Sequence, residues 1–176
     1  MLFRSREAAN SLILMGPPGL LQLKSWKSDL ERIIRQEKDK SVLLWSRVCL
    51  VRNDPAGPKD NKVHLDAIGE VLKANEEIGR LEACQAFALL GEEGVSRLKD
   101  LISLVLNPAE KPEVRAAAVV ALSTMKSQAA TIKPILEGLL KDFTIGPELR
   151  KIVSDSVTAM TVKPAAPAPP IPPVKK

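Results

Sequence analysis

The stretch Val114-Arg115-Ala116-Ala117-Ala118-Val119-Val120-Ala121-Leu122-Ser123-Thr124-Met125 decides the fold. Val and Arg open it. Small residues hold its fifth and eighth positions, Ala118 and Ala121. Large apolar residues hold its ninth and twelfth, Leu122 and Met125. Steps of three and four between these positions trace one face of a helix. Two small residues on that face let a neighbouring helix come close, and the large ones fill the space between layers.

The same order recurs along the chain. From Gly79 it reads Gly79-Arg80, Ala83, Ala86, Phe87 and Leu90, closed by Gly91. From Leu149 it reads Leu149-Arg150, Val153, Ser156, Val157 and Met160. From Val42 it reads Ser46, Cys49 and Leu50, with Leu43 where the others carry Arg. From Arg4 it reads Ala8, Ser11, Leu12 and Met15, closed by Gly16. These five starts lie 35–38 residues apart, the mark of a structural repeat.

A second amphipathic helix is expected after each of the first four, over residues 20–36, 61–74, 95–106 and 129–141. Leu65, Ile68 and Leu72 carry the helical spacing in one of them, and Ile132, Ile135, Leu136 and Leu139 in another. Gly16-Pro17-Pro18-Gly19, the stretch 53–58, Asn107-Pro108 and Gly146-Pro147 separate the helices. Pro112 and Pro147 stand where helices start and a missing N–H costs nothing. No segment sustains strand alternation, so the expected fold class is all-α. One hairpin cannot bury its own apolar face, so the units must stack. Arg80, Arg115 and Arg150 share one repeat position. With Asp142, and with Asp29, Asp66 and Asp100 in other second helices, they are expected to form a ladder of hydrogen bonds between turns of the array.

The Val-Arg-x-x-Ala-x-x-Ala-Leu core, the closing Gly and the period resemble HEAT repeats in their short bacterial form. The resemblance covers about residues 4–162 and is strongest at 112–141 and 79–106. It weakens at 41–74, where the Arg is missing and the loop is long, and at the start, where Arg4 holds the Val position. It implies a right-handed α-α superhelix, a solenoid of about five stacked HEAT-like hairpins over residues 1–162, the last unit being a single helix. It also implies a non-enzymatic scaffold or adaptor that holds a protein partner on the face of its second helices. Two other kinds of HEAT-like protein stand as rivals: enzymes or enzyme subunits of the bilin lyase and isomerase type, and DNA-binding proteins of the glycosylase type. A deep pocket with convergent polar groups favours an enzyme, and a shallow open groove favours a scaffold. On the second helices, Lys24, Lys27, Lys62, His64, Lys73, Arg97, Lys99 and Lys133 are the expected protein contacts.

Composition agrees with this narrowing. Of 176 residues, 45% are apolar and 27% charged, enough to bury a core and stay soluble. No apolar run approaches the ~18–20 residues of a membrane helix. The net charge of +5 is uneven, at +5 over residues 1–52, −3 over 53–162 and +3 over 163–176. That mixed body is not a DNA-binding stripe. Three Phe, two Trp and no Tyr leave little for base stacking, and Trp26 and Trp45 are expected to pack inside.

Cys49 and Cys84 sit in apolar helical stretches and read as buried free thiols. His64, the single histidine, is followed by Leu65 and lacks the His-Glu pairing of HEAT-like di-iron hydroxylases. Residues 12–19 with Lys24-Ser25 echo a phosphate loop, but Leu21 stands where its second Gly is needed. No catalytic residue, cofactor or metal is expected. Residues 163–176 read KPAAPAPPIPPVKK, a disordered Pro-rich tail. A monomer, or one part of a larger assembly, is expected. No secretory leader is legible, since the apolar run at 12–15 is short. The sequence as it stands points to the cytoplasm, and residues missing upstream would leave the periplasm or export open.

Overall fold

The computed structural model describes residues 26–53 and 58–161. The expected helix near Arg4, the contact residue Lys24 and the Pro-rich tail lie outside the described residues. All regular structure among the described residues is helical. Helix α1 spans Trp26–Gln36, α2 Lys40–Asn53, α3 Pro58–Val71 and α4 Glu77–Leu90. A 3-10 segment, Gly91–Arg97, leads into α5, Leu98–Leu106. Helix α6 spans Pro112–Thr124, a 3-10 turn follows at Lys126–Gln128, α7 spans Ala129–Leu140 and α8 Pro147–Thr161.

Local chemistry sets the boundaries. The Asp39 carboxylate accepts the N–H groups of Ser41 at 2.9 Å and Val42 at 3.1 Å, closing the open start of α2. Pro112 and Pro147 are the first residues of α6 and α8. Gly91, at the end of α4, has φ 58°, a left-handed backbone that favours glycine.

Helix α2 packs on α4, α4 on α6 and α6 on α8, while α3, α5 and α7 each pack against the helix that follows. The repeated small positions lie inside these contacts. Ala83, Ala86, Ala118 and Ala121 are buried, as are Phe87, Leu90, Leu122 and Met125 beside them. Ser46, Cys49 and Leu50 take the same places in α2 and are buried too. In α8, Val153 and Ser156 are buried, but Val157 and Met160 are only partly covered, because no described helix follows them.

The repeated arginines perform one task. Arg80 on α4 donates to the carbonyls of Ala74 at 2.7 Å and Asn75 at 2.9 Å, just beyond α3. Arg115 on α6 donates to Val105 O, in the last turn of α5, at 3.0 Å. Arg150 on α8 donates to Leu140 O at 2.5 Å and Asp142 O at 2.7 Å, at the end of α7. The final carbonyls of a helix have no partner within it and carry the negative end of its dipole. Each arginine supplies donors there and ties a hairpin to the next. This corrects the expected Asp ladder: the acceptors the three arginines share are main-chain oxygens, Arg80 alone adding the Glu110 carboxylate, and Asp66 and Asp100 pair with Arg97 instead.

Arg115→Ala is expected to cost about 2 kcal/mol, because a buried carbonyl loses a charged donor. Arg115→Lys should recover little, since an ammonium on a flexible stem does not reproduce the planar fork. Urea melts of the two variants beside the parent measure both effects.

Candidate functional site

A groove of about 1020 Å³ lies between α2, α3 and the start of α4. Leu43 and Leu44 come from α2, Ala67 and Val71 from α3, Ala74 from the turn, and Ile78 and Gly79 from α4. These aliphatic and small residues make up its apolar lining. Ile78 is 58% exposed, so an apolar side chain faces water at its mouth. The rim carries Asp39, Glu70, Glu76, Glu77 and Glu82 with Lys40 and Arg47. Lys40 Nζ meets Glu76 at 2.9 Å, and Ser41 Oγ donates to Glu82 at 3.0 Å. Both links join α2 to the segment 76–82.

The repeat explains why the space exists. Leu43 stands at the position of Arg80, and Asn75 lies 35 residues before Glu110. In the later unit Arg80 and Glu110 meet in two parallel hydrogen bonds, each 2.8 Å. That pair lines a smaller, more polar recess of about 540 Å³ with Asn75, Ser103 and Asn107. In the earlier unit the ion pair is replaced by one leucine and no acid. The volume is left apolar.

The residues expected to contact a partner fare unequally. Lys27, Lys62, Lys73 and Lys99 are exposed. Lys62 pairs with Asp66 at 2.6 Å and Lys73 with Glu70 at 3.3 Å. Lys133 is half-exposed and lies 3.7 Å from Glu137. Arg97 is not an exposed contact: its side chain is only 15% exposed and pairs with Asp66, Glu70 and Asp100. Gly69 makes the room, since a Cβ there would sit 2.5 Å from Arg97 Nε. Arg97 thus joins Lys62 and Lys73 through carboxylates of α3. No ion pair among the described residues extends that cluster to Lys99 or Lys133.

His64 is half-buried, with Arg47 Nη1 3.3 Å from its Nδ1. Arginine can only donate, so Nδ1 is the acceptor in this contact. Burial pulls the Arg47 pKa down from its ordinary value. Hydrogen bonds from Lys62 and Arg97 hold the Asp66 carboxyl below the usual range.

Cys49 and Cys84 are both buried, and burial pushes both thiols up to about 12, so both stay protonated at neutral pH. Trp45 is buried as expected, and its indole N–H has no acceptor among the described residues. No group of three or more His, Cys, Asp or Glu among the described residues could hold a metal ion. None of the described helices is long and apolar enough to cross a membrane. No protein-family model matches the chain, and no curated protein matches it.

Proposed function

We propose that the chain is a non-enzymatic protein-binding adaptor, a right-handed solenoid of HEAT-like hairpins that holds its partner along the second-helix side, centred on α3. The observation that carries this reading is the groove beside α3, an open apolar lining between α2, α3 and α4, where Arg80 ties α4 to the turn after α3. Stacked units of this kind present extended surfaces, and a partner gains most where an apolar anchor enters a desolvated recess. Lys62 on α3 and Lys73 just after it add a charged margin. Their ion pairs are exposed and contribute little to folding, so they are free to exchange acceptors when a partner arrives.

Site-specific photo-crosslinking in the source cell tests the reading. Val63 on α3 is 67% exposed and Val120 on the first-type helix α6 is 42% exposed. A crosslinking side chain at position 63 is expected to yield a discrete protein adduct, and one at position 120 is not. Adducts from position 120 alone would move the binding surface to the first helices. Turnover of a substrate by the purified chain would overturn the non-enzymatic reading.

A further inference from the structure

We infer that the groove between α2, α3 and α4 takes a short basic segment of a partner protein, one with aliphatic side chains flanked by Lys or Arg. This rests on the adaptor reading and names the chemistry of the partner.

The lining selects the anchor. Leu43, Val71 and Ile78 offer aliphatic surface with no ring to stack on and no polar group to direct a hydroxyl or amide. Burying apolar area is non-directional, so leucine, isoleucine or valine suits such a lining as well as any group. A groove of about 1020 Å³ is at the top of the range that encloses a small molecule and is large enough for several side chains.

The rim selects the charge. Five carboxylates face two cations around the opening. Lys40 is engaged by Glu76, and Glu70 by Lys73, yet the lining as a whole keeps an excess of carboxylates over cations, which an acidic occupant would oppose. Complementary charge steers the encounter and rejects wrong partners at the same time. Glu76 and Glu77 are exposed at the start of α4, next to Ile78 in the chain, and suit flanking Lys or Arg.

The vacancy is built in by the repeat. Where the next unit places Arg80 and Glu110 face to face, this unit has Leu43. With Leu43 in place of the arginine and Asn75 in place of the acid, this unit offers apolar surface where the next one closes on itself.

The test is selection from a display library of random 14-residue peptides on the immobilised full chain. Fluorescence anisotropy then follows with the enriched peptides, a charge-inverted copy in which Lys and Arg become Glu, and the variants Ile78→Asp and Glu76→Lys/Glu77→Lys. All altered residues are exposed, and circular dichroism confirms that each variant is folded. Enriched peptides are expected to combine Leu, Ile or Val with Lys or Arg. Their affinity should fall at least tenfold with either variant, and the charge-inverted copy should not bind.

Neutral or acidic peptides that lose binding with Ile78→Asp would overturn the basic-segment inference and leave the adaptor reading standing. Basic peptides that bind parent and variants equally would overturn the groove as their seat. No enrichment at all overturns the inference, and the crosslinking at position 63 then decides the adaptor reading on its own.

Discussion

Glu110→Ala is expected to destabilise the protein by about 3 kcal/mol. The Glu110 side chain is 5% exposed and that of Arg80 17%, so the pair is largely withdrawn from water. Its two bonds are parallel and each 2.8 Å, the fork arrangement in which guanidinium and carboxylate match best. Truncating the acid leaves a half-buried guanidinium without its counter-charge, the costly way to break such a pair. Arg80 keeps the carbonyls of Ala74 and Asn75, which holds the cost at the low end of that range.

The pH dependence has a definite sign. The Arg80 hydrogen bonds hold the Glu110 carboxyl below its ordinary 4.5. A depressed folded-state pKa contributes stability above the unfolded value and loses it as pH falls through the folded one. Urea melts at pH 7 should therefore separate parent and Glu110→Ala fully. Below the ordinary carboxyl value of 4.5 the gap should narrow progressively as pH falls towards the depressed folded value, because the parent then loses the same interaction. A constant gap down to pH 3 would assign the loss to packing and not to charge.

Much of the architecture was legible because the repeat encodes it in residue size. Ala86 and Ala121 were readable as contact positions, since only a small side chain lets the next helix approach, and both are buried. Pro112 and Pro147 marked helix starts by what they lack. The task of Arg80, Arg115 and Arg150 was half legible. Their spacing announced a ladder, but the acceptors the three have in common are main-chain oxygens, and every residue carries one, so nothing in the sequence marks them.

The groove left a trace that needed the structure to interpret. Leu43 broke the arginine position, and only once Arg80 is seen to pair with Glu110 does that break mean an open volume. Arg97 misled for a different reason. Periodicity reads residues 95–106 as one helix, whereas Gly91–Arg97 is a 3-10 turn, and that turn sets the guanidinium across Gly69 on another helix. A contact between residues so far apart in the chain has no signature in local spacing.

Ala121→Leu is expected to cost about 2–3 kcal/mol, and Val120→Leu, one residue earlier, less than about 0.5 kcal/mol. Ala121 is 0% exposed and lies on α6, which packs against α4, α5 and α8. Three added carbons there must push a neighbouring helix away or adopt a strained rotamer, because interiors are filled nearly as densely as crystals. Val120 is 42% exposed, so a larger side chain at 120 extends into water. The contrast tests the register itself. Shifting the repeat by one residue would exchange the two outcomes, because adjacent positions on a helix point about 100° apart. Chemical denaturation of both variants at one pH measures the difference directly. If Ala121→Leu is as stable as the parent while Val120→Leu is not, α6 is turned on its axis relative to its neighbours. The small-residue rule that identified all five units would then fail with it.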